Sequence, residues 1–247
     1  VSLSLGFDDT KIAAEKDAAG IYRITEIQRF SELTKGEMQF FNYKLTGRWT
    51  RNLLNRGILA TAGNYQSLSL EVATPGSDYT FYKLNYRGQK YFPLGQAWSL
   101  RFKTDLGYGD GFGDYKQLPL HEHYYAGGLS SVRGYRTNSL GPRSSWRDAS
   151  GKIQQINTAI GGNILIEDQS SLQTTLFVDG GNVFTNQCLS SSNCKDGIQA
   201  EEMRYSVGVS LTWLTAIGPL AFSFAKPINE KSIDRTEFFQ FSLGQTF

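Results

Sequence analysis

A two-residue rhythm runs through almost the whole chain and limits what it can become. Val1, Leu3, Leu5 and Phe7 share one parity, as do Phe41, Tyr43, Leu45 and Trp49, then Leu68, Leu70 and Val72, then Tyr82, Leu84 and Tyr86. Trp98, Leu100, Phe102, Leu106 and Tyr108 continue it, followed by Leu172, Leu176 and Val178, by Met203, Tyr205, Val207, Val209, Leu211 and Trp213, and by Leu220, Phe222 and Phe224. Successive side chains of a strand point to opposite faces, so each segment has one apolar side. The other parity is polar: Ser99, Arg101, Lys103 and Asp105 in one segment, Arg204, Ser206, Gly208, Ser210 and Thr212 in another.

A soluble sandwich and a membrane barrel share this alternation, and length separates them. Segments 97–109, 171–184 and 203–215 are longer than the five or six residues usual in soluble strands. Ten residues at about 3.3 Å each, tilted near 45°, cover roughly 23 Å of bilayer normal, the height of an outer-membrane barrel's apolar band. Composition agrees, since Tyr 13, Phe 16, Trp 4 and Gly 26 accompany a mean hydropathy of -0.35. No run approaches the roughly 18 to 20 apolar residues of a spanning helix. The opening VSLSLGFDDT has neither a basic nor an apolar targeting region, and it begins with Val, so the chain reads as cut from something longer. With 25 Lys+Arg against 23 Asp+Glu, neither disorder nor electrostatic nucleic-acid binding is favoured. The expected fold is all-β, a transmembrane antiparallel β-barrel.

Connections at 75–78, 92–95 and 217–219 are short, whereas 8–36, 110–122, 129–154 and 184–201 are long, as a barrel with one rim of tight turns requires. Ile21, Ile24, Ile27 and Phe30 predict one amphipathic helix over 21–33. About eleven strand segments begin near residues 1, 38, 64, 79, 97, 122, 155, 171, 202, 219 and 237. An odd count conflicts with the even closure of single-chain bacterial barrels. The expectation is that 1–247 is the C-terminal part of one incomplete barrel domain.

Few residues suggest chemistry. Cys188 and Cys194 bracket a polar stretch and suit a small loop disulfide, which implies an oxidising compartment. A zinc site needs further ligands, and neither cysteine is near His121 or His123 in sequence. Those two histidines flank Glu122 and share a face, but two polar rim residues explain them better than a metal pair. Gly107–Asp114 resembles a phosphate loop only loosely, with no Lys-Ser/Thr after it. There is no Gly-x-Ser-x-Gly, and no catalytic residue, metal or cofactor is expected.

The most specific stretch is Tyr125-Ala-Gly-Gly-Leu-Ser-Ser-Val-Arg-Gly-Tyr135, centred on Val132, Arg133, Gly134 and Tyr135. It resembles the lid-loop signature of the BamA family of outer-membrane assembly factors, the POTRA-containing superfamily of insertases and polypeptide transporters. Leu53–Gly57, Thr74–Ser77, Leu106–Gly111, Phe177–Phe184, Ile217–Leu220 and Phe239–Phe247 follow in the family's order, so residues 47–247 look like its C-terminal barrel.

Taken alone, Arg133 reads as a solvated arginine on a flexible loop. The resemblance implies instead that it folds into the lumen onto a paired acid. Asp179 is the expected partner, its parity opposite to lipid-facing Leu176 and Val178. The family places a second lumen acid near Glu167. The run from Ile164 to Ser171 is short for two strands and a turn, so a stretch is expected to be missing there, leaving Glu167 in a turn. Phe239, Phe241, Leu243 and Phe247 resemble the C-terminal signal by which such barrels are assembled, and Gly244 weakens that strand into a seam. The resemblance implies insertion of β-barrel proteins into the bacterial outer membrane. Nascent outer-membrane barrel proteins, accessory assembly lipoproteins and outer-membrane lipid are the implied partners, with POTRA domains and the first strands lying outside this chain. A sibling polypeptide transporter, of the two-partner secretion or translocation-and-assembly type, stays open as an alternative, as does a passive porin.

Overall fold

The computed structural model describes residues 1–57, 59–95, 98–172, 176–188, 195–215 and 218–243. Its strands are β1 (Ser2–Lys11), β2 (Gln39–Asn52), β3 (Gly63–Ala73), β4 (Phe81–Pro93), β5 (Ser99–Gly111), β6 (Arg143–Arg147), β7 (Ile153–Ala159), β8 (Ile164–Leu172), β9 (Leu176–Phe184), β10 (Arg204–Thr215), β11 (Gly218–Pro227) and β12 (Phe239–Leu243), with one helix, α1 (Thr25–Leu33). Ten of the strands form a single sheet in the order β1-β2-β3-β4-β5-β8-β9-β10-β11-β12, every neighbouring pair antiparallel. Among the described residues no ladder joins β1 to β12, so the sheet is an unclosed barrel wall.

Parity sorts the two faces as the alternation requires. Leu176, Val178, Tyr205, Val207, Val209, Leu211 and Trp213 are exposed on the outer face, while Asp179, Arg204, Ser206 and Ser210 are buried on the inner one. Among the described residues no helix is long and apolar enough to cross a membrane; in the sheet, each inner strand has its backbone groups satisfied by its neighbours.

Three expectations change. No strand begins at 122, because Leu120–Glu122 is one short 3-10 turn, and the segment after 155 belongs to β7, which pairs with β6 inside a loop rather than in the wall. A hairpin shows the same alternation wherever it sits; without these two segments nine remain, and β8, not counted apart from β9, completes the ten of the wall. Nor is any stretch missing near 164–171: β8 and β9 are adjacent, with Ile164 opposite Phe184 and Leu172 opposite Leu176. Nine tilted residues already cover roughly 21 Å. Glu167 is therefore in mid-strand, opposite Asp105 on one side and Gly181 on the other. The helix starts at Thr25 instead of 21, because Tyr22 and Ile24 are held in bridges to Lys16 and Trp146.

Alternate antiparallel strands place the connections that follow β1, β3, β5, β9 and β11 at one rim and those that follow β2 and β4 at the other. The tight turn at 75–78 thus shares the long-loop rim. An aromatic cap covers that rim: Phe30 of α1 packs with Phe40, Tyr79, Phe81, Leu118 and Leu120. Beneath it Glu122 accepts hydrogen bonds from Lys44 at 2.5 Å and Lys83 at 3.1 Å. Burial would raise its carboxyl, but the two ammonium groups outweigh that and hold it below the usual range. Asp8, His121 and Glu122 bring donor atoms within 4.8 Å of one another. Lys44, 3.2 Å from Asp8, already supplies the positive charge there.

His123 packs in the same cap with its Nδ1 against the Ile160 carbonyl at 3.0 Å. Burial pushes it from an ordinary value of 6.5 down to about 4. Between those values the unfolded chain takes up a proton that the folded cap refuses, so stability falls as pH drops through that window. Limited proteolysis of the loop over this range should show increasing cleavage, and His123→Asn should flatten the dependence. A wild-type cleavage rate independent of pH would remove His123 from this account.

Candidate functional site

The 52-residue excursion between β5 and β8, residues 112–163, does not stay at the rim. It turns back over the inner face of the wall, and glycines make room for it. A Cβ on Gly107 would lie 2.8 Å from the Tyr124 ring, one on Gly109 3.0 Å from Leu118, and one on Gly181 2.8 Å from Val132. Each seat is an inward-facing strand position where any side chain would hold the loop off. The glycines of 107–111 are thus strand-borne seats, and no phosphate loop is formed.

At the tip, Val132, Arg133, Gly134 and Tyr135 are all buried. Arg133 grips Asp179 through both arms of its fork: Nε donates to Oδ2 and Nη2 to Oδ1, each at 2.6 Å, while its backbone N–H donates to Oδ2 at 3.1 Å. Nη1 reaches Ser210 Oγ at 3.4 Å, and the guanidinium lies 3.5 Å from the centroid of Phe177. The side chains of Arg133 and Asp179 are 1% and 0% exposed, so neither charge has water to fall back on. Such a bidentate, fully partnered pair is the geometry in which a buried charge is tolerated, and removing one member strands the other.

Glu167 faces the same interior, where the Ser131 hydroxyl donates to it, and Gln169 donates to the Ser131 carbonyl. Its neighbour in space is thus the lid residue two places before Arg133. Lys103 donates to the Ser130 carbonyl at 3.0 Å and is itself 3.3 Å from Asp105. β5, β8 and β9 thus all contribute polar grips on residues 130–133, two of them from β8.

The far side of the tip is fastened to the run-in of the last strand. Gly134 has a φ of 88°, a conformation that suits glycine, and a Cβ there would press on Ala225 at 3.1 Å. This reversal lets Glu237 N–H donate to the Gly134 carbonyl and Arg136 N–H to the Arg235 carbonyl, both at 2.8 Å. Gln240 of β12 donates to the Tyr135 carbonyl at 2.8 Å and accepts from Gly134 N–H at 3.4 Å. Above, Asp234 accepts from Arg143 at 3.1 Å and from Arg204 at 2.5 Å, with all three side chains nearly inaccessible. Sequence reading missed Gln240, Ser131, Arg143 and Asp234. Only Gln240 left a trace, as the polar inward residue between Phe239 and Phe241.

Phe239, Phe241 and Leu243 face outward, with Phe239 5.0 Å from Phe224 and Phe241 5.2 Å from Phe222 between ring centres. Gly244 and Phe247 lie outside the described residues. Cys188 is disulfide-bonded, and Cys194 lies outside the described residues.

Family comparison matches the Omp85 superfamily domain across residues 1–247. The chain belongs to the Omp85 superfamily. This Omp85 domain is 31% identical over 239 residues to the outer membrane protein assembly factor BamA of Neisseria meningitidis serogroup B, a match covering 87% of the chain and 30% of that relative. It is 25% identical over 167 residues to the sorting assembly machinery 50 kDa subunit of Saccharomyces cerevisiae, covering 60% of the chain and 32% of the relative. The crystal structure of Haemophilus ducreyi BamA lacking POTRA domains 1–3 superposes with a TM-score of 0.79 at 26% identity, covering 97% of this chain and 49% of that one. The Omp85 domain therefore spans about a third of the curated relatives' length, and it resides in the outer membrane.

Replacing Arg133 or Asp179 with Ala should each weaken lid docking by about 3 to 5 kcal/mol, whereas the double change should cost far less than the sum. Gln240→Leu, which removes one buried hydrogen-bonding side chain, should cost about 1 to 3 kcal/mol. Protease accessibility of residues 125–140 along a urea titration in lipid reads all three, and strictly additive Arg133 and Asp179 losses would break the pairing.

Proposed function

We propose that this chain is the C-terminal part of the barrel of a longer, POTRA-bearing factor that folds and inserts β-barrel proteins into the outer membrane. The observation that carries the reading is mechanical: the lid tip is fixed on one side to β9 through Arg133–Asp179 and on the other to the lead-in of β12. A client strand would add by backbone pairing at the edge of β12, at the seam where this last strand meets the barrel's first strand. Unpaired edges in lipid are costly and seek partners, so strand addition there lowers the barrier to insertion without a chemical reaction. The names of the Neisseria and yeast relatives, an assembly factor and a sorting assembly subunit, support the same reading and a non-enzymatic role.

Nascent outer-membrane barrel proteins are then the clients, lipid is the medium, and accessory assembly lipoproteins are partners of the whole protein. Glu167 serves beside Asp179 as a second lumen acid holding the lid. Phe239, Phe241 and Leu243, with Gly244 and Phe247 beyond them, act as both assembly signal and seam. Cys188–Cys194 closes an outer loop. A porin reading fits poorly, because a passive pore has no use for a loop sealed into its interior by a desolvated ion pair.

The test is the folding of a urea-unfolded barrel client in liposomes carrying the full-length protein, followed by heat-modifiable mobility. Wild type should accelerate it, and Arg133→Ala or Asp179→Ala should remove most of the acceleration. A stable open conductance of constant size, with no effect on client folding, would decide for a porin. Phe247→Ser should slow assembly of this protein itself while leaving the activity of the assembled fraction unchanged; equal assembly rates would count against the signal role.

A further inference from the structure

Four cations line one cavity inside the wall: Arg87, Arg101 and Lys103 from the strands and Arg133 from the lid. Arg87 and Lys103 share Asp105, at 2.5 and 3.3 Å, and Arg133 has Asp179. Arg101 is different. It is 5% exposed, its Nε is buried with no hydrogen-bond partner, and among the described residues no carboxylate lies within ion-pair distance of it. It sits two residues into β5, just inside the short-connection rim, with Tyr91 and Ser171 opposite it on the adjoining strands. Arg101 is one of the residues lining a cavity of about 850 Å³, together with Tyr65, Leu54 and Thr212.

A desolvated guanidinium with an unmet donor is costly unless an anion completes it. We infer that Arg101 is the receptor for a polypeptide carboxylate, an Asp or Glu side chain brought into the lumen from the short-connection side. The surroundings select this class. A planar fork matches a carboxylate in two parallel hydrogen bonds; Tyr91 opposite is already engaged with the guanidinium, and hydroxyls at Ser171 and Thr212 stand by for the flanking backbone. Tyr65 and Leu54 offer apolar contact that a hydrated phosphate would not use, and one uncompensated cation matches a single negative charge. The cavity has room for a short extended segment. The inference is independent of what the barrel inserts, because it concerns only which charge the lumen accepts.

The carboxylate has two possible sources, another part of the same protein or a separate polypeptide, and one experiment separates them. The full-length protein in a planar bilayer is exposed, from the short-connection side, to a ten-residue Glu-rich peptide and to its Gln-for-Glu counterpart. For a carboxylate supplied in trans, the Glu peptide blocks the residual current longer than the Gln peptide. Arg101→Gln then shortens that block about tenfold or more, Arg101→Lys retains part of it, and the unfolding midpoint is unchanged. For a carboxylate supplied by the same chain, neither peptide blocks selectively, and Arg101→Gln lowers the urea midpoint in lipid while Arg101→Lys recovers part of the loss. Equal block by both peptides together with an unchanged midpoint would overturn the assignment. So would block by inorganic phosphate alone with both peptides silent.

Discussion

Arg133 and Asp179 are sealed together where neither can be hydrated, and the position of the lid follows from that. In a low-dielectric interior a lone guanidinium or carboxylate is expensive, whereas the bidentate pair is tolerated. The pair is therefore satisfied only when the loop tip is seated against β9, where both arms of the guanidinium reach the carboxylate. The remaining contacts make the engaged position geometrically possible. Gly107, Gly109 and Gly181 clear the floor under Tyr124, Leu118 and Val132, and the reversed backbone at Gly134 turns the tip toward β12.

Much of the wall was legible because lipid imposes a rule on every second residue. Leu176 and Val178 outside fix Asp179 inside, and parity alone placed that acid in the lumen. Strand boundaries were less legible. Ile153–Ala159 has hairpin alternation but lies in a loop, and the pattern carries no information about depth in the membrane. Glu167 was assigned to a turn because β8 and β9 are only nine residues each, which is enough for a tilted strand but short of the length assumed.

The grips of the site were legible only in part. Arg133 stood out through its motif, yet Ser131, Gln240, Arg143 and Asp234 are polar residues of ordinary kinds at ordinary positions. What makes them matter is who stands opposite after folding, and in a long loop that returns over the wall this is set by tertiary geometry. The Asp234 cluster joins β6, the start of β10 and the loop before β12, elements far apart along the chain.

The bond from Gln240 to Tyr135 spans 105 residues of sequence, which has a bearing on how the barrel itself matures. Until the final strand is laid down, the Gly134 N–H and the Tyr135 carbonyl have no Gln240 to meet them, and the lid tip is held from one side only, by β5, β8, β9 and Ser210 of β10. Contacts of such long sequence separation form late and slowly. The arrival of β12 is thus the step at which a loop already docked on one side gains its second anchorage, so completion of the wall and full fastening of the lid are one event.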